Sequence, residues 1–280
     1  LDRTGLETLV GKVNMDRNAP DYIREPTAAE ALEDTEGWIA GTRDRFAHAR
    51  PILTPRFVPS CTPALMEGLG RLREKWSLPV QSHLDETPEE VAWVRELCPE
   101  SPSYAAVYEA AGMLGPDAVM AHCIYLTEPE IALMKDSGTF IAHCPASNMN
   151  VRSGIAPIRK YMDLGLNIGL GTDISGGHTL DMAQAVRDAL SVSRLLWRLG
   201  EDDLPHLKTR EAFYLATAGG GAYFGKVGAF EPGYAFDAVA VDDSPWRWAG
   251  DDPEKRFDKF IYRAGSGNVT AKYVAGRKLF

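Results

Sequence analysis

Short apolar segments alternate with helix-patterned segments along the first 180 residues, and this alternation constrains the fold more than any other feature. The apolar segments, rich in Val, Ile and Leu, are residues 8–15, 51–55, 78–83, 117–123, 139–145 and 166–173. Several of the stretches between them open on Thr or Ser followed by acidic residues and close on Gly or a basic residue, as helices begin and end. Strands that alternate with helices in this way predict βαβ units and a parallel sheet.

A closed barrel of the (β/α)8 type needs two strands more than these six. The chain begins with Leu1, in a segment patterned like the middle of a helix that runs into "LVGKVNMD". We therefore expect the first two strands of a TIM-like barrel to lie upstream of Leu1. The alternative is an open, doubly wound sheet, but no Gly-rich phosphate turn follows an early strand.

The pattern changes in the last third of the chain. Two long helical stretches at 180–200 and 208–225 are followed by β-rich sequence with Gly and Pro turns at 227–243 and 268–280. We predict a barrel domain at residues 1–222, with strands three to eight. Residues 223–280 are predicted to return into a small β-sandwich.

Composition excludes several classes of partner. The net charge is -9 and no basic stretch offers a phosphate-binding surface, so a nucleic-acid partner is not expected. The longest apolar runs are far too short to cross a bilayer. Four cysteines without C-x-x-C spacing are typical of reduced thiols in a cytoplasmic protein.

Polar side chains follow five successive predicted strands. They are Arg56 with Phe57, His83 with Glu86, His122, His143 and Asp173. Active-site groups of parallel α/β barrels project from the carboxyl ends of the strands. One such histidine alone would be interpreted as a core or surface residue. The occurrence of three histidines at strand ends, together with Asp173, indicates a shared catalytic site.

These residue types suit a divalent metal such as zinc. Imidazole nitrogens and carboxylate oxygens bind zinc, and bound zinc lowers the pKa of a water molecule towards neutrality. An acid beside His83 would then accept and return the proton of that water. Both Asp85 and Glu86 are candidates, because a strand continuing past His83 would place Asp85 on the same face as the histidine.

Several motifs carry a resemblance to a known family. They are "GKVNMDRNAP", "RPILTPRFVPSC", "VQSHLDE", "MAHCIYL", "HCPASN", "GLGTDISGG" and "FEPGYAFDAVAVD". From about residue 9 to the end, the chain resembles the guanine deaminases of the amidohydrolase superfamily. The resemblance implies hydrolytic deamination of guanine to xanthine and ammonia, zinc as cofactor and a homodimer.

The resemblance also implies roles for individual residues. His83 and Asp173 match zinc ligands, and Asp173 also helps to take the proton from the water. Glu86 matches the glutamate that shuttles this proton and protonates ring nitrogen N3 while C2 of guanine is attacked. His122 matches a histidine that lines the site of the metal and water.

Substrate recognition is implied for a second group of residues. Arg56 matches an arginine that hydrogen-bonds the purine carbonyl, and Phe57 a phenylalanine that contacts the ring. His83, Glu86 and Asp173 also face the substrate. We expect His143 to support the walls of the site and not to act in it.

One element of the family pattern is absent from the sequence. The first two zinc ligands of the family form a His-x-His pair, and these 280 residues contain no such pair. We expect both histidines upstream of Leu1, so that zinc binding and activity of this chain alone would be weak or absent.

Two other functions remain open. The protein could be a related amidohydrolase that deaminates cytosine, adenosine, a triazine or a pteridine, or it could be a non-catalytic relative. Arg56 favours a ring with a carbonyl acceptor, which guanine has and adenine lacks.

Overall fold

The computed structural model describes residues 1–200 and 204–280. It divides into two compact units, Leu1–Ile141 and Ala142–Phe280. The boundary expected at residue 222 separates the barrel domain from the β-sandwich segment. It is not the boundary between these two units, and it stays a prediction.

The first unit contains short parallel strands. They are Thr8–Val10 (β1), Val13–Asn14 (β2), Ala49–Pro51 (β3), Thr54–Pro55 (β4), Val80–Leu84 (β5) and Ala118–His122 (β6). β1 pairs with β3, β2 with β4, and β5 with β6, all in parallel. A parallel bridge from Leu53 to Val80 joins the segment between β3 and β4 to β5. The predicted parallel pairing is therefore present throughout these six strands.

The strand predicted at 8–15 is divided at Gly11. A Cβ atom at this position would lie 1.7 Å from Thr54 Oγ1 and 2.8 Å from the carbonyl oxygen of Ile52. The two backbones thus approach each other more closely than any side chain would allow, and only glycine fits.

Helices connect the strands of the first unit. They are Ala28–Thr42 (α1), Pro63–Trp76 (α2), Pro88–Leu97 (α3), Tyr104–Ala110 (α4) and Glu128–Ser137 (α5). Each follows a Thr or Ser, and in α1 to α4 this side chain accepts the backbone N–H three residues later. Such caps satisfy amides that have no partner within the helix, so the Thr and Ser signals in the sequence locate the helix starts.

The amino-terminal segment differs from the expectation. Asp2–Thr4 forms only a single 3-10 turn, which ends where Gly5 adopts a φ of 72°. The helix expected to run from Leu1 into β1 is therefore wrong, because the left-handed glycine stops it within one turn.

Burial alternates along the two strands that carry the predicted site. Val80, Ser82 and Leu84 of β5 are buried, whereas His83 is only partly covered. This period of two follows from the pleat of a β-strand. It leaves the imidazole of His83 on the less buried face, where a ligand can reach it.

The second unit begins within a strand and continues mainly through helices. The strand Phe140–His143 (β7) begins in the first unit and ends in the second, and Asn167–Leu170 (β8) follows it along the chain. The helices are Pro145–Asn150 (α6), Ile158–Asp163 (α7), Met182–Leu199 (α8), Thr209–Tyr214 (α9) and Pro253–Arg263 (α10). After α9 the chain continues through a π-helical turn at Leu215–Gly219.

The end of the chain forms an antiparallel sheet. Its strands are Ala238–Val241 (β9), Val269–Val274 (β10) and Arg277–Lys278 (β11), with β10 in the middle. The β-rich character predicted for this segment is confirmed. Among the residues described, no helix has the length and apolar character needed to cross a membrane.

Candidate active site

Five of the predicted site residues come together in the first unit. The rings of His83 and His122 are stacked, with centroids 5.3 Å apart and planes inclined by 26°. Glu86 Oε2 lies 3.6 Å from His122 Nε2. Arg56 and Phe57 follow β4, and the Arg56 carbonyl oxygen lies 2.6 Å from His83 Nδ1. The ends of β4, β5 and β6 thus place these side chains beside one another, as the barrel rule predicts.

The contact to the Arg56 carbonyl determines the tautomer of His83. A carbonyl oxygen can only accept, so Nδ1 carries the proton and donates it. The lone pair is then on Nε2, the atom that can bind a metal. A carbonyl held on the second nitrogen is the usual support of a metal-binding histidine.

Tyr108 holds the backbone at the same place, and no pattern in the sequence indicated this role. Its hydroxyl donates to the carbonyl oxygen of His83 at 2.8 Å and lies 2.7 Å from Ser82 Oγ. The side chain is fully buried in α4. Its effect is to fix the end of β5, on which the orientation of the imidazole depends.

His122 leaves the regular path of its strand. It is 1% exposed and has a φ of 73°, and Cys123 after it has a φ of 50°. Left-handed backbone is uncommon for residues with a side chain and costs of order 1–3 kcal/mol. Such conformations cluster at active sites, because the surrounding structure holds them for a purpose other than stability.

The structure distinguishes the two acids that follow His83. Asp85 has a φ of 50°, which breaks the alternation of the strand. It is 1% exposed, and neither of its carboxylate oxygens has a hydrogen-bond partner in the part of the chain that the structure describes. Glu86 is half-buried and faces His122. Of the two acids, Glu86 is therefore the one that lies beside His122.

Burial has a consequence for the charge of Asp85. The pKa of its carboxyl is raised from 3.8 to about 8, mainly by loss of hydration and in addition by the nearby carboxyl groups of Glu130 and Glu90. The folded protein therefore holds a proton on Asp85 over a pH range in which the unfolded chain has released it.

This proton makes stability depend on pH. Because the folded-state pKa is the higher one, the free energy of unfolding is expected to fall as the pH rises from about 4 to about 8. The slope from this group approaches about 1.4 kcal/mol per pH unit. Urea denaturation at several pH values measures it, and Asp85→Asn should flatten the slope. An unchanged slope in the variant would mean that Asp85 is ionised in the fold.

Arg56 and Phe57 form a cationic and aromatic surface. The guanidinium lies 5.4 Å from the centroid of the Phe57 ring, and Trp93 of α3 meets that ring edge-on at 6.2 Å. A cation beside aromatic faces suits a flat, polar heterocycle. Trp93 was not predicted as a site residue from the sequence, because a single tryptophan at helical spacing is usually interpreted as a packing residue.

Asp173 lies in the second unit, three residues after β8, with a φ of 45°. One of its carboxylate oxygens is within 4.8 Å of the thiol sulfur of Cys144, which is buried. Gly176 passes close by, and a Cβ there would meet Asp173 Oδ2 at 3.1 Å and Ser147 Oγ at 2.3 Å. The loop after β8 therefore packs tightly around the aspartate.

Two histidines of this unit, His143 and His178, differ in burial. His143 is buried at the end of β7, and its carbonyl oxygen accepts the N–H of Gly171 at 2.8 Å. This bond joins the ends of β7 and β8, and the supporting role of His143 stays a prediction. His178 is exposed, and Asn150 lies 3.5 Å from its Nδ1.

The donor atoms of each unit fit a divalent metal. The first unit offers the imidazoles of His83 and His122, with the tautomer of His83 fixed by Arg56. The second unit offers the Asp173 carboxylate with the Cys144 thiol beside it. Imidazole, carboxylate and thiol are the groups that bind zinc in proteins.

Comparison with known proteins agrees with the motifs. The model of the amidohydrolase family matches residues 1–279. Guanine deaminase of Dictyostelium discoideum is 36% identical over 292 residues, which cover 100% of this chain and 64% of the relative. The chain thus spans less than two thirds of the length of this relative.

Solved structures give the same result. Guanine deaminase from C. acetobutylicum, with guanine bound in its active site, is 44% identical with a TM-score of 0.95, covering 100% of this chain and 67% of that one. E. coli guanine deaminase is 31% identical with a TM-score of 0.89, covering 99% and 65%. The resemblance to guanine deaminases and the α/β fold of the TIM-like barrel type are confirmed. The chain belongs to the amidohydrolase family.

Proposed function

We propose that the full-length protein hydrolyses guanine to xanthine and ammonia. The observation that carries the proposal is the cluster at the ends of β4, β5 and β6. In this cluster the Glu86 carboxylate lies 3.6 Å from His122, whose ring stacks on that of His83, and the Arg56 guanidinium lies over the Phe57 ring. The similarity of the whole chain to guanine deaminases supports it.

Zinc is the proposed cofactor, one ion per subunit. Members of the family are metal-dependent. His83 through Nε2 and Asp173 through its carboxylate would hold the ion, together with two histidines expected upstream of Leu1. When bound, zinc supplies the Lewis acidity that activates water near neutral pH.

The side chains of this chain would handle the substrate and the protons. Arg56 donates hydrogen bonds to the carbonyl oxygen of guanine, and Phe57 covers the ring. Both protons come from the attacking water: Asp173 helps to take them up, Glu86 passes one to N3, and the other goes to the amino group, which leaves as ammonia. His122, 3.6 Å from Glu86, orients its carboxylate.

Loss of the Arg56 guanidinium should weaken guanine recognition. A hydrogen bond to a charged donor contributes about 1.5–3 kcal/mol, so Arg56→Met is expected to lower kcat/KM roughly 10- to 100-fold, mainly through KM. Steady-state kinetics of xanthine formation measure this. Arg95→Met, on the exposed side of α3, is the matched control. An unchanged KM in Arg56→Met would remove the residue from substrate recognition.

A substrate panel tests the proposed function against its alternatives. The zinc-loaded full-length protein is offered guanine, cytosine, adenosine, a triazine and a pteridine at equal concentrations, and ammonia release is followed. We expect guanine to be preferred. Turnover of another heterocycle with guanine untouched would assign a different deaminase, and no turnover at all would favour a non-catalytic protein.

The compartment, the oligomeric state and the domain boundaries of the enzyme are also proposals, based on its residues and its relatives. We place it in the cytoplasm as a homodimer, with a barrel domain at 1–222 and a β-sandwich segment at 223–280. All four cysteines are buried, and none forms a disulfide among the residues that the structure describes, which supports a reducing compartment.

A further inference from the structure

Residues 14–18, here called the supporting segment, lie against the part of the chain that carries Arg56 and Phe57. The carbonyl oxygen of Asn14 accepts the backbone N–H of Arg56 at 3.2 Å, and a guanidinium nitrogen of Arg56 lies 3.6 Å from the Met15 sulfur. The supporting segment belongs to the motif "GKVNMDRNAP", to which the proposed function gives no task.

The supporting segment also binds the turn that follows Phe57. This 3-10 turn, Val58–Ser60, is buried, so its carbonyl groups need donors from the protein. The carbonyl oxygen of Ser60 accepts the backbone N–H groups of Asp16 and Arg17, at 3.0 and 3.2 Å. Ser60 in turn donates its own N–H and its hydroxyl to the carbonyl oxygen of Phe57, both at 3.1 Å. The backbone of Phe57 is thereby linked to the supporting segment through one residue.

Two side chains of the supporting segment donate to the other carbonyl groups of the turn. Arg17 Nη2 lies 3.0 Å from the carbonyl oxygen of Val58, and Asn18 Nδ2 lies 2.8 Å from that of Pro59. The Val58 oxygen also accepts the N–H of Cys61 at 3.1 Å, so it keeps a partner when the Arg17 side chain is removed. Asn18 has a φ of 48°, a left-handed conformation that asparagine adopts more readily than most residues with a side chain.

The turn bears on the site through the ring of Phe57, which meets Trp93 edge-on. The preceding carbonyl group, that of Arg56, is held from the other side, by the hydroxyl of Ser82 at 3.1 Å and the backbone N–H of His83 at 3.3 Å. These bonds do not depend on the turn. The supporting segment therefore controls the part of the chain after Arg56, and the support of His83 is separate from it.

We propose that Arg17 and Asn18 are positioning residues for substrate recognition: by holding the turn after Phe57, they place its ring where it covers the guanine ring. The inference rests on the proposed function, in which Phe57 contacts the substrate. Arg17 and Asn18 act through that ring and touch no substrate atom themselves.

Two variants of the full-length zinc enzyme remove these donors one at a time. Arg17→Met removes the guanidinium, and Asn18→Gly removes the amide but keeps a residue that tolerates the left-handed backbone. A base stacked on an aromatic ring gains roughly 5- to 150-fold in binding, so partial displacement of Phe57 should raise KM for guanine about 3- to 10-fold in each variant. The kcat, normalised to bound zinc, should stay within about two-fold, because a contact made equally before and during the reaction changes KM alone.

Arg17→Lys and Arg24→Met are the matched controls. Lysine keeps a cationic donor on a long side chain, so Arg17→Lys should recover most of the wild-type KM. Arg24 is exposed and binds Asp21 at 2.6 Å, and its replacement should leave both constants unchanged. A substitution that only loosened the fold would reduce the amount of zinc-bound enzyme and leave KM at the wild-type value.

The decisive measurement repeats Arg17→Met in a Phe57→Leu background. If Arg17 acts through the Phe57 ring, the second substitution should change KM by less than about two-fold there, because the ring that it positions is already gone. Increases in KM that multiply in the double variant would overturn the inference, as would a wild-type KM in both Arg17→Met and Asn18→Gly. A wild-type enzyme without guanine turnover would instead overturn the proposed function, and the inference with it.

Discussion

The variant His83→Ala is expected to lose zinc and guanine turnover together. His83 Nδ1 donates to the Arg56 carbonyl, so the imidazole presents Nε2 in one fixed orientation. Alanine offers no ligand atom, and no other histidine lies within two positions of residue 83 in the sequence. The activated water depends on the metal, so loss of the ion should reduce the rate to the assay background.

Metal analysis after dialysis and xanthine formation are the two readouts for this variant. His48→Ala serves as the control, because that histidine pairs with Glu7 near the surface, 2.9 Å away. It should keep both zinc and activity. A His83→Ala protein that retains the full complement of zinc would show that His83 is not a ligand.

Glu86→Gln should separate metal binding from catalysis. The substitution keeps the size of the side chain near His122 but removes its ability to accept and return a proton. Proton transfer by a positioned side chain contributes about 10²–10⁴-fold to a rate, so kcat is expected to fall by that factor while zinc content stays at the wild-type level.

Asp85→Asn is the matched comparison for this second variant, because it neutralises the adjacent acid. Asp85 is buried away from solvent, and we expect its replacement to leave most of the turnover intact. Both zinc-normalised kcat values come from the same xanthine assay. If Asp85→Asn abolishes turnover and Glu86→Gln does not, the roles of the two acids are exchanged.

The strand ends of the site could be predicted from the sequence for a simple physical reason. β-strands bury alternate residues, and parallel strands collect their carboxyl ends at one edge. Both rules depend on local sequence, so His83, His122 and His143 were expected at the ends of three strands. Each lies at or next to the last residue of β5, β6 or β7.

The choice between Asp85 and Glu86 could not be made from spacing alone. It depends on the left-handed backbone at Asp85, which turns one acid into the interior and the other towards His122. A conformation of this kind is imposed by tertiary packing, so it cannot be predicted from the residue types. Before the positions of the two acids were known, only the family resemblance distinguished Glu86 from Asp85.

The short helices also could not be predicted from the sequence pattern. α4 and α6 contain seven and six residues, too few for a helical period to appear. Tyr108, which holds the backbone of His83, lies in α4 and was missed for this reason. The tight approach at Gly11 likewise depends on a neighbour more than 40 positions away.

Product analysis of the zinc-loaded full-length protein with guanine tests the central claim most directly. Xanthine and ammonia are quantified over the same time course. The proposed function predicts that both form in equal amounts, and that removal of zinc by a chelator stops their formation until zinc is restored. Guanine that remains intact in the presence of zinc, while the protein is folded and metal-bound, would contradict it.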